Sequence, residues 1–178
     1  MSLYLAIADA FSGDECDRIV ALAEGAPTEA GPLYGGAAPR VDPALRDVRS
    51  SLVKRIDAPW LFDRLDALFT AGADAFSLPV GPISEAIQIL LYEEGGHFRM
   101  WHSDAGVDKA EQRRISMSIE LSDPADHDGG DLEVVPDLVG KKRTMRRGGA
   151  HLFPSRALHR VTEVRRGRRW ALVAWTGA

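Results

Sequence analysis

Two histidines and an aspartate in the second half of the chain form a pattern that could bind a metal ion. His102 and Asp104 are separated by one residue, and His159 follows much later. Two imidazoles and one carboxylate can hold Fe(II) on one face and leave its other coordination positions open for oxygen and a co-substrate. A basic residue, Arg169, stands ten residues after His159. These residue types therefore indicate a non-haem iron site.

The spacing of His102 and Asp104 indicates the element that must carry them. Residues i and i+2 point to the same side of a β-strand but diverge on a helix. From residue 83 onward, short apolar runs alternate with Gly, Asp and Pro, which is typical of an all-β unit. The sequence predicts strands at 87–92, 98–104, 114–121, 131–135, 149–153, 161–164 and 170–175.

The first half of the chain predicts two helices. Ser12 and Glu15 form a capping box, so a helix should start there and run to about Glu24. Pro59 stands in the first turn of a second helix over 59–76, whose apolar residues recur at helical spacing. The segment 27–43 predicts a loop, and 48–54 a strand. Helices followed by strands make an α+β fold.

Composition limits the number of domains and the partners. A chain of 178 residues, 45% of them hydrophobic, should form a single domain, with 1–82 as a helical support region and 83–178 as the β core. A net charge of -4 argues against broad binding to nucleic acid or to an anionic membrane. The absence of a secretory pattern and of a long apolar run predicts a cytoplasmic protein.

Three segments taken together resemble those of a known family. Residues 92–104 combine a tyrosine, a glycine-rich turn, an aromatic residue and His-x-Asp, and 129–132 read Gly-Gly-acidic-Leu. Residues 153–170 contain Phe-Pro, the second histidine, a valine, a glycine and the basic residue ten after the histidine. In this order the segments resemble the prolyl-4-hydroxylase-like 2-oxoglutarate and Fe(II) dependent oxygenases, over about 83–175.

The resemblance implies a fold, a cofactor and a reaction. The fold would be a double-stranded β-helix, a jelly-roll barrel, with the N-terminal helices packed against one face. His102, Asp104 and His159 would bind Fe(II), and 2-oxoglutarate and O2 would be co-substrates, with ascorbate a further candidate cofactor. The reaction would hydroxylate an unactivated C–H bond and release succinate and CO2.

The distal carboxylate of 2-oxoglutarate would require a cation at the far end of the pocket. A guanidinium offers it a planar, bidentate fork. Arg168 and Arg169 are both candidates, but adjacent strand residues point to opposite faces, and the family's offset of ten from His159 selects Arg169. A solvated basic face is the alternative for both. Tyr92 matches a family tyrosine that contacts the co-substrate, and a core tyrosine is the alternative.

The predicted strand 114–121 has an unusually polar face, formed by Ser116, Ser118 and Glu120. If this face points inward, Ser116 or Ser118 would line the co-substrate pocket, and we take Ser118 as a candidate contact. Glu120 would then compete with 2-oxoglutarate for the guanidinium of Arg169. If the face points outward, it is simply solvated.

The substrate and two rival functions remain open at this point. Specificity should come from loops at 34–43, 105–112 and 136–147, and the substrate would be a small molecule or a peptidyl residue, peptidyl proline included. A non-catalytic jelly-roll module could use the same residues to bind metal and 2-oxoglutarate as a sensor. A zinc hydrolase could use the triad with an activated water, but it leaves Arg169 and the glycine-rich segments unexplained.

Overall fold

The computed structural model describes residues 3–31, 33–34, 39–40, 49–83, 85–106, 112–135, 141–142 and 146–177. The described residues form the helices α1 (Gly13–Glu24) and α2 (Pro59–Phe76). The strands are β1 (Leu5–Ile7), β2 (Thr28–Ala30), β3 (Leu33–Tyr34), β4 (Pro39–Arg40), β5 (Arg49–Ser50), β6 (Leu52–Ile56), β7 (Ile87–Tyr92), β8 (His97–His102), β9 (Ile115–Glu120), β10 (His127–Gly129), β11 (Leu132–Val135), β12 (Lys141–Lys142), β13 (Ala150–Pro154), β14 (Leu158–Val161), β15 (Val164–Gly167) and β16 (Arg169–Thr176).

Helix α1 begins at the predicted capping box. The Ser12 hydroxyl accepts a hydrogen bond from the backbone N–H of Glu15 at 3.2 Å, and the Glu15 carboxylate accepts one from the backbone N–H of Ser12 at 2.8 Å. These two bonds satisfy amide groups that have no partner within the helix. The apolar face buries Cys16, Ile19 and Ala23. The helix ends at Glu24, as predicted.

Helix α2 has the predicted bounds and lies close to the large sheet. Its buried residues, Leu61, Leu65, Phe69, Gly72 and Phe76, follow helical periodicity. A Cβ atom at Gly72 would lie 2.9 Å from Cδ2 of Leu152 on β13, so the glycine allows the helix to approach the strand closely. Among the described residues, no helix is both long and apolar enough to cross a membrane.

Two sheets form the barrel. The large sheet has the order β1-β13-β9-β16-β7-β6-β2, and the smaller one β12-β11-β14-β8-β5, with every neighbouring pair antiparallel. The helices cover one face of the large sheet, where α1 contacts β6 and α2 contacts β9 and β13. The other face, together with the smaller sheet, encloses a second apolar cluster that includes Leu90, Val134 and Phe153.

Strand β9 shows how the large sheet separates its two faces. Ile115, Met117 and Ile119 belong to the core beneath the helices. The polar residues that alternate with them face the barrel interior, because Ser116 contacts Asp104 and Glu120 contacts Arg169. All residues of β9 are buried. The polar face predicted for this strand therefore points inward.

Several strands differ from the sequence predictions. The loop prediction for 27–43 is wrong at Thr28–Ala30, which pairs with β6 at the edge of the large sheet. All three of these residues are exposed, so they carry no apolar alternation that could indicate a strand. Leu33–Tyr34 and Pro39–Arg40 also pair with each other, and the remaining residues of 32–43 lie outside the described ranges.

The predicted strand at 161–164 is also wrong in its bounds. β14 ends at Val161 and β15 begins at Val164, and the Thr162 hydroxyl between them accepts a hydrogen bond from the backbone N–H of Asp131 at 2.9 Å. His127–Gly129, for which the sequence predicts no strand, forms β10 and pairs with β15. The expected helical support region, 1–82, also contributes strands to both sheets.

We expect Ser12→Ala to lower the free energy of unfolding by about 1 kcal/mol, because it removes the side-chain acceptor at the N-terminus of α1. Urea unfolding followed by circular dichroism measures this change. Ser12→Asp, which keeps an acceptor, is the matched control and should unfold close to wild type. Equal stability of Ser12→Ala and wild type would contradict the role given to this cap.

Candidate metal centre

The three predicted metal ligands meet at one end of the barrel. His102 on β8 lies directly opposite His159 on β14 in the antiparallel register. One ligand atom from each histidine and one carboxylate oxygen of Asp104 all lie within 4.8 Å of one another. Residues distant in the chain therefore converge on a space the size of a metal ion's first coordination sphere.

Asp104 lies two residues beyond the end of β8, so the strand predicted to 104 is too long. The backbone N–H groups of Asp104 and Ala105 both donate to the carbonyl oxygen of Ser155 at 2.9 Å. Ser155 follows directly on β13. Backbone hydrogen bonds to Ser155, just after β13, therefore hold Asp104 in place, and regular pairing between two strands does not.

Backbone carbonyls orient both imidazoles. Nδ1 of His102 lies 2.9 Å from the carbonyl oxygen of Met100, and Nδ1 of His159 lies 3.1 Å from that of Ala157. A carbonyl oxygen can only accept, so each Nδ1 carries the proton and donates it. Each Nε2 then presents a lone pair, which is the state that binds a metal ion. Nε2 of His159 lies 3.5 Å from Oδ2 of Asp104.

Aromatic rings pack against the two histidines. The Phe98 ring stacks on His102 with a centroid distance of 3.6 Å and an interplanar angle of 14°. The Phe153 ring lies 4.8 Å from His159 at 51°. These contacts restrict rotation of the imidazoles and exclude water from one side of each ring.

Two donors fix the Asp104 carboxylate. Oδ2 accepts hydrogen bonds from the Ser116 hydroxyl at 2.7 Å and from Nε1 of Trp175 at 2.9 Å. Burial by itself raises the pKa of Asp104, but in the metal-free site the positive charge of His159 and His102 in their protonated forms, together with the Trp175 hydrogen bond, outweighs burial and lowers the pKa to about 2. The carboxylate is therefore ionised at neutral pH, as a metal ligand must be.

Arg113 and Glu85 support the Trp175 side chain. The guanidinium of Arg113 sits over the Trp175 ring, 3.9 Å from its centroid. Arg113 also donates two hydrogen bonds to Glu85, from Nε at 2.5 Å and from Nη2 at 2.6 Å. This bidentate pair fixes the guanidinium, which in turn restricts the indole that donates to Asp104.

Arg169 enters the barrel interior, as the family offset predicts. Its side chain is 1% exposed, whereas Arg168 is exposed. Nε of Arg169 donates to Oε2 of Glu120 at 2.8 Å. The guanidinium carbon lies 5.5 Å from the centroid of the Tyr92 ring, and Tyr92 is the partner of Arg169 in the β16–β7 register. Glu120 lies at the end of β9, four residues beyond Ser116, which contacts Asp104, so Arg169 lies further along the interior face of β9 than the three candidate ligands do.

Ser118 lies on the interior face of β9, midway between Ser116 and Glu120. Its side chain is buried, and its partners in register are His151 on β13 and Val173 on β16. This position lies between the metal ligands and Arg169. The polar face of β9 thus runs from one end of the candidate site to the other.

The Gly129-Gly130 pair makes room for Arg169. Both glycines have positive φ, +76° and +70°. A Cβ atom at Gly130 would lie 2.9 Å from Cδ of Arg169, and one at Gly129 would lie 2.0 Å from the carbonyl oxygen of Glu163. Only glycine fits both the backbone conformation and the close approach. Gly130 therefore leaves room for the stem of Arg169, and Gly129 lets the turn pass close to the backbone of Glu163.

The family model of the 2OG-Fe(II) oxygenase superfamily matches residues 87–177, which is the segment that carries the triad and Arg169. The chain belongs to this superfamily. The matched segment includes the inner strands of both sheets, from β7 to β16. The matched segment includes Gly129, Gly130 and Arg169, the residues that a zinc hydrolase leaves unexplained.

Relatives within the superfamily carry a more specific name. A PKHD-type hydroxylase from Hyphomonas neptunium is 37% identical over 91 residues, which cover 48% of this chain and 40% of that protein. A PKHD-type hydroxylase from Caulobacter sp. is 47% identical over 62 residues, which cover 34% of this chain and 27% of that protein. The matched stretch thus spans less than half of these relatives.

Solved structures confirm the fold. A Pseudomonas putida prolyl-4-hydroxylase superposes on this chain with a TM-score of 0.71 at 22% identity, and the alignment covers 98% of this chain and 92% of the other. A Trichoplax adhaerens prolyl hydroxylase, solved with a hypoxia inducible factor peptide fragment, superposes with a TM-score of 0.78 at 15% identity. That alignment covers 98% of this chain and 83% of the other. The predicted α+β double-stranded β-helix with helices against one face is confirmed.

Sequence reasoning missed the residues that support the site. The residue types of Trp175 and Arg113 do not indicate a role at the site, since neither residue stands in a recognisable motif. Period-two alternation along β16 offers one signal, because it places Trp175 on the same face as Arg169. The contact between Arg113 and Trp175 joins two elements far apart in the chain, and spacing could not have found it.

We expect Gly130→Ala to destabilise the oxygenase fold more than Gly95→Ala does. Both positions have positive φ, but a Cβ atom at Gly95 would have nothing within 4 Å. Gly95→Ala therefore carries only the backbone strain of about 1 kcal/mol, whereas Gly130→Ala adds clashes with the side chains of Arg169 and Val164. Denaturant unfolding of both variants measures the difference. Equal losses in the free energy of unfolding would show that the close approach of Gly130 to Arg169 does not matter for stability.

Proposed function

We propose that this chain is a 2-oxoglutarate-dependent, non-haem Fe(II) dioxygenase. It would hydroxylate an unactivated C–H bond, with one oxygen atom of O2 entering the product and the other entering succinate as 2-oxoglutarate loses CO2. The observation that carries this proposal is the convergence of His102, Asp104 and His159 at one end of an interior that has Arg169 buried at the other.

The donor set fits ferrous iron. Two neutral imidazoles and one ionised carboxylate, arranged on one side of a shared space, form the facial triad of Fe(II) oxygenases and leave further positions open. His102, Asp104 and His159 would hold the ion. Bound Fe(II), with 2-oxoglutarate and O2, supplies the oxidising chemistry, and the protein supplies binding, orientation and the exclusion of water.

The residues between the triad and Arg169 fit a dicarboxylic keto acid. Its keto acid end would face the triad, and its distal carboxylate would bind the guanidinium of Arg169 through charge-assisted hydrogen bonds. Tyr92 packs beside that guanidinium. Ser118 lies midway and would contact the co-substrate between its two ends.

The rest of the structure supports this chemistry by holding the triad still. Phe98 and Phe153 restrict the two imidazoles, and Ser116 and Trp175 fix the carboxylate. Ligands held in this way keep their geometry before the metal arrives, so little ordering is required when it binds. We further propose that residues 1–178 act as one oxygenase domain, with 1–82 supporting a core at 83–178.

For the substrate, we propose a peptidyl residue or a small molecule. The peptide complex of the Trichoplax adhaerens enzyme supports the first class. The loops expected to select the substrate, 34–43, 105–112 and 136–147, lie largely outside the described residues. We propose ascorbate as the reductant for assays and a cytoplasmic site of action, with neither nucleic acid nor membrane as a partner.

We expect His102→Ala and Asp104→Ala to abolish succinate formation while the chain stays folded. Each change removes one of three iron ligands, and neither residue belongs to the apolar core. Succinate release with Fe(II), ascorbate, 2-oxoglutarate and candidate substrates measures activity. Asp128→Ala, at an aspartate paired with Arg165 on the surface, is the control and should stay active. Wild-type turnover in either site variant would overturn the triad.

We expect the double variant Arg169→Gln with Glu120→Gln to have a 2-oxoglutarate KM at least tenfold higher than that of Glu120→Gln alone, because the two variants differ only in the guanidinium. Replacing both members leaves no buried charge unpaired, so the fold should survive. A lost hydrogen bond to a charged group is worth about 1.5–3 kcal/mol, or more than tenfold. Initial rates at varied 2-oxoglutarate give the KM. Arg168→Gln is the control; a larger effect there than in the double variant would transfer the role to Arg168.

A further inference from the structure

The cation at the far end of the barrel already has a carboxylate partner. Nε of Arg169 donates to Oε2 of Glu120 at 2.8 Å, and the two side chains are 1% and 2% exposed. Glu120 thus balances the buried positive charge before any ligand arrives. A second carboxylate, brought by a ligand, enters a place where the positive charge is already matched.

Neither member of the pair can easily move away. Oε1 of Glu120 accepts a hydrogen bond from the backbone N–H of Ser122 at 3.3 Å, so both oxygens of the carboxylate are held. The stem of Arg169 packs against Gly130 closely enough that a Cβ atom there would lie 2.9 Å from Cδ. An arriving carboxylate must therefore share the guanidinium with Glu120 instead of displacing it.

Sharing has an electrostatic consequence. Two carboxylates on one buried guanidinium repel each other, and this repulsion is stronger in the interior than in water. A keto acid with an uncharged tail avoids the repulsion, and it leaves no unpaired cation behind, because Glu120 stays with Arg169. The difference in affinity between charged and uncharged tails is smaller than a lone guanidinium would produce.

We propose that Glu120 is the positioning and selectivity residue of the co-substrate site. It holds the guanidinium of Arg169 in place, and its charge weakens binding of dicarboxylic 2-oxo acids relative to 2-oxo acids with an uncharged tail. This inference rests on the proposed function, since it assumes that 2-oxo acids bind between the triad and Arg169.

The test compares two ligands in the Fe(II)-loaded protein under anaerobic conditions. 2-Oxoglutarate and 2-oxovalerate have the same chain length, and 2-oxovalerate has a methyl group in place of the distal carboxylate. Both chelate iron through the same keto acid end, so the visible charge-transfer band of the chelate gives a Kd for each without turnover. The measured quantity is the selectivity ratio, which is the Kd of 2-oxovalerate divided by the Kd of 2-oxoglutarate.

Glu120→Gln removes the charge and keeps the shape. The glutamine oxygen can still accept the hydrogen bond from Nε of Arg169, so the guanidinium stays in position. We expect 2-oxoglutarate to bind about tenfold tighter or more in this variant, with 2-oxovalerate no tighter than in wild type, because only the dicarboxylate loses a repulsive neighbour. A merely structural role for Glu120 would not increase affinity.

Glu133→Gln is the matched control. Glu133 also accepts a hydrogen bond from an arginine, Nε of Arg160, at 2.6 Å. Its neighbours on β11, Leu132 and Val134, belong to the second apolar cluster inside the barrel, so the side chain of Glu133 points away from the interior. Its substitution should leave the ratio unchanged. If Glu120→Gln does not fold, wild type still tests the proposal, which requires 2-oxovalerate to bind within about tenfold of 2-oxoglutarate, whereas a lone guanidinium would give a larger gap.

The outcomes separate this inference from the proposed function. If wild type binds neither keto acid in the presence of Fe(II), the proposed function fails. If wild type binds 2-oxoglutarate, and Glu120→Gln leaves the ratio unchanged or weakens 2-oxoglutarate binding, the function stands and the role of Glu120 is overturned. A larger ratio in Glu120→Gln, with no change in Glu133→Gln, supports the proposal.

Discussion

The antiparallel pairing of β8 with β14 is the constraint on which the site depends. It brings His102 opposite His159 although the two are far apart in the chain. The carbonyls of Met100 and Ala157 then fix the proton of each ring on Nδ1, so that both Nε2 atoms are available to a metal. Asp104 completes the triad only because the end of β13 holds its backbone in place. A shift of this pairing by one residue would turn one histidine to the other face.

The large sheet solves a second problem, which is to keep a polar pocket inside an apolar protein. Strand β9 presents apolar side chains to the helices and polar ones to the barrel interior, and β16 adds the Arg169 side chain to that interior. Buried polar groups are costly unless they are bonded, and here the principal ones are: Ser116 with Asp104, and Arg169 with Glu120. The helices therefore stabilise one face of the sheet so that the other can carry chemistry.

The sequence predicted the parts of this structure that local patterns determine. Capping at Ser12, helical periodicity in α2 and the apolar strands β7 and β9 were readable because each signal lies within a few neighbouring residues. The exposed edge strand Thr28–Ala30 was not, since only its pairing with β6 makes it a strand. The triad could be named from residue types and family spacing. The contacts of Trp175 with Asp104, and the choice of Glu120 as the partner of Arg169, depend on tertiary packing. For Glu120 the sequence left two orientations open, and the structure selects the inward one.

The proposed oxygenase holds one ferrous ion with His102, Asp104 and His159 together. The most direct measurement is an anaerobic titration of the protein with Fe(II) at saturating 2-oxoglutarate, following the visible charge-transfer band of the chelate. We expect the band to saturate at one iron per chain in wild type and to be lost in His159→Ala. A wild-type protein without a saturable band, or a band that survives the loss of His159, would contradict it.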